Sequence, residues 1–295
     1  MKFEGTEVAG FESAIRGMRN PMNSWAKSDS YVGIVDLGED ACEAEVAEGY
    51  ACEELKRPLD YDDPKDLEVI EKYCDWLGKN GIIYRDPEYP DYASVVYIGK
   101  NDLDLMTRLI KSGSPHDKFL RQIHIAVDIT APLYWWKEMD TYKVGTTANS
   151  TSTMHKLAST PITLDCFETD DYDPKLIFEE GIDDSGDNPW PYECVLEDYI
   201  GESENKVYFS ETLIGMLESL RLKYLETKDK RYWKELIRWL PESWLQTRTW
   251  TANYAILRNI IHWRTSHKLS EWKQFIDWCK TLPYSEELLF FNNVN

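Results

Sequence analysis

Two polar side chains, Asn253 and Arg264, fall on the apolar stripe of a segment whose pattern predicts a helix beginning near Thr249. The helical period places six residues on this stripe: Asn253, Ile256, Leu257, Ile260, Arg264 and His267. Polar groups on a buried face need partners. A guanidinium there is suited to a planar, bidentate acceptor such as a pyrimidine or a phosphate. The alternative is a structural arginine paired with one of the chain's many carboxylates.

Two other stretches allow both a chemical and a structural interpretation. The small polar residues of 146–152 could cradle an anion through their hydroxyls and backbone N–H groups, or simply cap the next helix. The aromatic run 134–136 could stack on a flat ligand ring, or pack an element into the core or a subunit interface.

Composition excludes several classes of function. The net charge of −20 argues against a duplex nucleic-acid binder but not against a small anionic ligand. No apolar run reaches the ~20 residues of a membrane helix, and residues 1–17 carry no signal-peptide pattern. A cytoplasmic protein without membrane attachment is therefore expected. The six cysteines and five histidines show no metal-binding spacing, so no metal site is expected.

The predicted elements give an α+β fold, with a mixed sheet and a helical C-terminal half. Strands are predicted at 31–35, 93–99 and 119–130, and helices at 64–77, 102–111, 211–227, 230–240, 249–265 and 269–281. We expect a single domain over 1–295 with an acidic insertion at 38–92, and a surface loop over 168–205.

Two segments together resemble the flavin-dependent thymidylate synthases. They are LRQIHIAVDITAPLYWWKEMDTYKVGTTANSTSTMHKL (120–157) and the pattern LP-x8-W-T-x-N (240–253), which continues through Asn259 and Arg264. The resemblance implies a mixed α/β protomer and a homotetramer with active sites shared between subunits. It also implies FAD and dUMP as ligands, with methylenetetrahydrofolate and NADPH where the family activity is retained. A flavin then passes a hydride, and no enzyme cysteine attacks the pyrimidine.

The resemblance implies site residues position by position. Five of the family's positions are retained, namely Asn149, Ser152, Asn253, Asn259 and Arg264.

The roles implied are distinct. Arg264 contacts the pyrimidine and is the candidate catalytic residue, while Ser152 and Lys143 hold phosphates. Asn253 and Asn259 line the flavin. His267, on the same predicted helix face, is added to the cofactor set, and Glu138 and Asn149 to the substrate set.

The chain also departs from the family at several charged positions. The Arg-His-Arg cluster falls at 141–143 or 142–144, where the single cation is Lys143. A phosphate-holding Arg becomes Met154, and the Glu-His of the preceding strand becomes Arg121-Gln122. Each lost charge-assisted contact costs about 1.5–3 kcal/mol. The candidates for compensation are Arg121, Lys137, Lys143, Lys156 and Lys268, although a solvated surface charge is the alternative for each lysine.

The sequence therefore predicts a divergent protein of this type that binds FAD and a pyrimidine nucleotide for reductive one-carbon transfer to pyrimidine C5. The alternative is a catalytically silent nucleotide-binding or sequestering protein on the same fold. A third possibility is an interaction protein that uses the acidic insertion at 38–92 as its contact surface. Arg16 and Arg19 either reach into a neighbouring subunit's site or are ordinary charges at a helix end.

Overall fold

The computed structural model describes residues 1–36, 51, 55–76, 82–85, 92–170 and 209–291. The chain forms two compact units. The first comprises Met1–Ile129, Thr141–Asn149 and Arg248–Asn295, and the second comprises Thr130–Asp140 and Ser150–Thr247. Much of the predicted insertion at 38–92, and of the predicted loop at 168–205, lies outside the described residues. The single domain with its insertion therefore stays a prediction.

Strands and helices are interspersed along the described part of the chain, and helices predominate from residue 209 onward. The strands are β1 (Lys2–Ala9), β2 (Tyr31–Asp36), β3 (Ile82–Arg85), β4 (Tyr92–Tyr97), β5 (His124–Pro132), β6 (Thr147–Ser150) and β7 (Leu245–Asn253). The helices are α1 (Phe11–Arg19), α2 (Pro64–Trp76), α3 (Lys100–Ser112), α4 (Leu133–Met139), α5 (Thr153–Lys156), α6 (Phe209–Thr227), α7 (Lys230–Arg238), α8 (Tyr254–Arg264) and α9 (Ser270–Lys280). Short 3-10 turns lie at Asn20–Met22, Trp25–Lys27, His116–Gln122 and Leu164–Cys166, and a π-helical turn at Glu286–Phe290.

The strands form two sheets. A four-stranded antiparallel sheet has the order β1-β5-β7-β6, and a three-stranded sheet has the order β2-β4-β3. In the smaller sheet β2 pairs antiparallel with β4, with Tyr31 opposite Tyr97. The predicted α+β class with a helical C-terminal half is confirmed.

The helix predicted from Thr249 is wrong over its first turn, because residues 245–253 form strand β7. Their types favour a strand, since threonines alternate with Trp250 and Ala252. Trp250 and Ala252 are buried, whereas Thr249 and Thr251 are exposed. Asn253 therefore does not share a helix face with Arg264. It ends the strand and caps the helix that follows.

The strand predicted at 119–130 begins later than expected, at His124. Phe119 and Leu120 are consecutive and both buried, which breaks the alternation on which the predicted strand rests. They lie instead in the 3-10 turn His116–Gln122. From Ile123 onward the predicted inward face is confirmed, because Ile123, Ile125, Val127 and Ile129 are all at least 98% buried.

A buried ion pair joins α1 to α3 in the first unit. Arg19 donates from Nε to Asp102 Oδ1 over 2.5 Å, and its other nitrogens donate to the carbonyls of Ser24 and Lys27. The second carboxylate oxygen of Asp102 accepts from Ser28, Ser30 and the Asp29 amide. Arg19 is thus a structural residue of the core, and it is neither an ordinary helix-end charge nor free to reach a neighbouring site.

The second unit has its own apolar core. Its buried members are Leu157, Ile162, Phe167, Leu217 and Leu236. At its edge, Arg221 donates twice to the Glu218 carboxylate, over 2.7 and 2.5 Å, and this hydrogen bonding lowers the pKa of Glu218.

Candidate functional site

A tight loop after Asp140 supplies one wall of a pocket in the first unit. The Thr146 hydroxyl donates to the Tyr142 carbonyl over 2.5 Å and closes the turn. Gly145 lies at φ +76, a conformation that side chains rarely adopt. A Cβ there would meet Ile256 Cδ1 at 2.9 Å, so glycine lets the loop backbone lie against the first turn of α8.

The start of α8 supplies the opposite wall. Asn253 is its N-cap, and its Oδ1 accepts from the Ile256 amide over 3.1 Å. The Tyr254 amide donates to the Ile123 carbonyl over 3.0 Å, which ties the helix start to the segment that enters β5. Tyr254 itself is fully buried, and its hydroxyl donates to the Pro283 carbonyl. The position of Asn253 is therefore fixed by the core.

Between these walls lies a cavity of about 460 Å³, a size typical of small-molecule sites. Its lining residues are Arg121, Thr141, Tyr142, Lys143, Val144, Gly145, Asn253, Ala255, Ile256 and Asn259. The two segments that carry the resemblance thus meet around one pocket, through lining residues that are more than 100 positions apart in the sequence. Lys143, Asn253 and Asn259, which were predicted from the sequence to bind the cofactor, all line it.

The pocket lining is positively charged, whereas the whole chain is strongly negative. The chain has 53 acidic and 33 basic residues, yet the ten lining residues include two cations, Arg121 and Lys143, and no carboxylate. Both cations are exposed. The pocket is therefore suited to a ligand that carries negative charge.

Arg264 lies beside this loop in an aromatic cluster. Its Nε donates to the Tyr142 hydroxyl over 2.9 Å. Its guanidinium carbon lies 4.5 Å from the ring centroid of Trp272 and 5.4 Å from that of Tyr142. Such cation–π contacts contribute about 0.5–2 kcal/mol each. Arg264 is half-buried, so the cluster fixes its side chain next to a loop that lines the pocket.

The other predicted residues lie elsewhere. His267 is outside the pocket lining, and its Nδ1 accepts from the Leu269 amide over 3.2 Å. Asn149 is exposed on β6. Ser152 and Glu138 belong to the second unit, where the Ser152 carbonyl accepts from the Lys156 amide in the first turn of α5. The roles of all these residues stay predictions.

The aromatic run 134–136 packs into the second unit. Trp135 and Trp136 are 0% and 1% exposed, and their rings form an edge-to-face pair at 5.0 Å. The Trp136 indole donates to the Gln246 carbonyl over 2.9 Å. Stacking of these two rings on a ligand is thereby excluded, because their faces are covered by protein.

The run 146–152 is not a free loop, because Thr147–Ser150 form β6.

The five candidates for compensation separate into two groups. Arg121 and Lys143 line the pocket. Lys137 forms an exposed ion pair with Glu242, and Lys156 and Lys268 are exposed residues outside the lining. Of the residues that the sequence analysis left without a definite role, Arg121 is thus the one that the structure brings to the candidate site.

Comparison with known proteins gives distant likenesses only. No family model matches the chain, and no curated protein matches it. Two crystal structures of flavin-dependent thymidylate synthase from Helicobacter pylori, both with FAD and dUMP, are similar in structure. The first is 17% identical with a TM-score of 0.44, and the match covers 67% of this chain and 85% of that one. The second is 17% identical with a TM-score of 0.42, covering 66% and 84%.

Two classes of feature are not found in the part of the chain that the structure describes. There, no helix is long and apolar enough to cross a membrane. The same residues contain no group of three or more histidine, cysteine or acidic side chains arranged to hold a metal ion.

Proposed function

We propose that the protein binds FAD and a pyrimidine nucleotide such as dUMP at a site that includes the pocket between residues 141–145 and the start of α8. The observation that carries this proposal is the convergence of the two sequence segments on one cavity. The activity we propose is the family's reductive one-carbon transfer to pyrimidine C5, with methylenetetrahydrofolate and NADPH as co-substrates.

The residues of the pocket fit a phosphate-bearing cofactor. Lys143, Asn253 and Asn259 would hold FAD, since their side chains offer a positive charge and hydrogen-bonding amides at the cavity. Bound FAD would supply hydride transfer. The protein's own contribution would be to bind the cofactor and to orient it. The loop closed by the Thr146 hydrogen bond and the helix capped by Asn253 favour this, because preorganised elements lose little freedom on binding.

Arg264 is the residue we propose to contact the pyrimidine. Its stacking on Trp272 and its hydrogen bond to Tyr142 hold the guanidinium in one orientation. A guanidinium held in this way recognises a carbonyl edge with little further loss of side-chain entropy. Asn149, Ser152 and Glu138 complete the proposed substrate set, and His267 the cofactor set. The proposal includes a cytoplasmic homotetramer.

A second function follows from one feature of the loop. Where the family has an Arg-His-Arg cluster, this loop carries one cation, Lys143, between Tyr142 and Val144. The Tyr142 hydroxyl already accepts from Arg264, and Val144 is 90% exposed. A protein that binds the nucleotide without turnover, and sequesters it, is therefore the alternative.

The absorbance spectrum of the purified protein, recorded before and after addition of FAD and gel filtration, tests the proposal. Flavin bands that stay with the protein are expected, and dUMP should then raise the melting temperature, since a ligand at 100 times its Kd adds about 2.7 kcal/mol. Conversion of dUMP in the presence of methylenetetrahydrofolate and NADPH supports the proposed enzymatic activity. Binding of dUMP without FAD and without turnover supports the alternative of a catalytically silent nucleotide-binding protein. A protein that takes up neither ligand contradicts both.

A further inference from the structure

The charged and amide side chains of the pocket lining offer hydrogen-bond donors. These side chains are Arg121, Lys143, Asn253 and Asn259. Arginine and lysine have donors and no acceptor. An amide side chain has both, so the character of the pocket depends on which end of each asparagine is already engaged.

The hydrogen bond at the helix cap fixes the orientation of Asn253. The Ile256 backbone N–H, which can only donate, is 3.1 Å from the side-chain atom of Asn253, so that atom is the oxygen. The other end is the Nδ2 amino group, which lies 3.8 Å from the position that a Cβ on Gly145 would occupy. It therefore faces the loop across the pocket and presents its donors there.

Asn259 is oriented in the same way one and a half turns later. The indole Nε1–H of Trp263 donates to Asn259 Oδ1 over 3.2 Å. An indole nitrogen is a donor only, so the oxygen of Asn259 is engaged and its Nδ2 amino group is the end left for a ligand. Both asparagines thus have their acceptor atoms bound within the helix.

The two cations add further donors to those of the two amides. Among the residues that the structure describes, neither Arg121 nor Lys143 has an ion-pair partner, although 53 of the chain's 295 residues are acidic. Arg121 reaches the cavity from the 3-10 turn before β5, and Lys143 from the loop. Two positive charges and two amide donors therefore meet in one cavity whose lining carries no carboxylate.

We propose that this pocket holds the anionic phosphate group of its ligand, with Arg121 and Lys143 as its cationic clamp and the Asn253 and Asn259 amino groups as neutral donors. A phosphate offers acceptors only, which complements this set. A pyrimidine edge alternates C=O and N–H, and for its N–H these four side chains offer only the two amide oxygens, each of which already accepts one hydrogen bond. The inference rests on the proposed function, which names two ligands that could supply this phosphate. They are a nucleotide monophosphate and FAD, through its pyrophosphate.

Paired ligands that differ only in phosphate test the inference. Affinities are measured for dUMP against deoxyuridine and for FMN, which carries the flavin-side phosphate of FAD, against riboflavin, and inorganic pyrophosphate serves as a ligand without a ring. At least one phosphorylated ligand should bind at least about tenfold more tightly than its partner, because a hydrogen bond to a charged group is worth that factor or more. The pair that shows the preference identifies the source of the phosphate.

Arg121→Gln should reduce that preference about tenfold, and Lys143→Gln should do the same. Both residues are exposed, so the melting temperature should not change. Arg108→Gln and Lys273→Gln, which change exposed cations outside the pocket lining, serve as matched controls and should leave the preference intact.

The outcomes separate this inference from the proposed function. If dUMP or FAD binds, but without phosphate preference and without loss in Arg121→Gln, the anion clamp is wrong while ligand binding stands. If pyrophosphate binds in an Arg121-dependent manner while neither nucleotide nor flavin does, the clamp stands and the proposed function fails. If no phosphate compound binds at all, both are overturned.

Discussion

Replacing Asp102 with alanine is expected to lower the free energy of unfolding by about 3–5 kcal/mol, because the buried Arg19 guanidinium would lose its carboxylate partner. The side chains of Arg19 and Asp102 are only 5% and 0% exposed, so water cannot replace the lost contact. The carboxylate also accepts from Ser28, Ser30 and the Asp29 amide, and these donors would be left unsatisfied. Urea denaturation followed by fluorescence measures the change.

Asp104→Ala is the matched control for this prediction. Asp104 lies on the same helix, and its ion pair with Arg108 is exposed, with side chains 64% and 65% accessible. Exposed pairs of this kind contribute about 0–1 kcal/mol. If Asp102→Ala is no more destabilising than Asp104→Ala, the buried pair does not hold α1 against α3 as described.

Trp272→Ala is expected to lower the free energy of unfolding by about 3–5 kcal/mol and to weaken ligand binding as well. The indole is 0% exposed and packs edge-on against Phe275 at 5.8 Å and Tyr142 at 6.3 Å. It also lies under the Arg264 guanidinium. Its removal would leave a cavity and release both Arg264 and the loop that carries Tyr142. Chemical denaturation together with a dUMP titration measures the two effects.

Two variants calibrate this prediction. Trp272→Phe keeps an aromatic face for Arg264 and should recover a large part of both losses. Trp239→Ala removes an indole that is 63% exposed and should change the free energy of unfolding by no more than about 0.5 kcal/mol. A stable Trp272→Ala protein with unchanged dUMP affinity would show that this cluster does not support the site.

The fold could be predicted from the sequence wherever the apolar residues fit only the strand period or only the helix period. The inward face of β5 and the extents of α3, α6 and α9 follow from alternation or from the 3.6-residue repeat. The second half of β7, residues 249–253, was mistaken for the start of a helix because the apolar positions from Thr249 onward also fit a helical period. Only pairing with neighbouring strands decides between the two structures, and such pairing is not visible in a local pattern. Strand β1 was missed, because Val8 is the one buried residue among its eight, so its sequence carries no alternating apolar pattern.

The site was predictable only in part, for a similar reason. Lys143, Asn253 and Asn259 were proposed because two segments resemble one family, and the structure brings these three residues to one cavity. Arg121 was named only as one of five candidates for compensation, since it stands where the family has an acid, and it joins the pocket through a 3-10 turn. The partner of Arg264 was expected to be a carboxylate or a ligand. The structure gives it Tyr142, which is 122 residues away in the sequence, and Trp272, which lies on the next helix, as two of its contacts.

The affinity of Asn253→Asp for FAD and dUMP, measured beside the unaltered protein, tests the central claim most directly. Aspartate caps a helix as well as asparagine does, so the Ile256 hydrogen bond and the melting temperature should be retained. The same change replaces the donor that faces the pocket with a carboxylate oxygen. The unaltered protein is therefore predicted to bind, and the variant to bind at least about tenfold more weakly at equal stability. Equal affinity in the two proteins, or no binding to either, would contradict the assignment of this pocket as the ligand site.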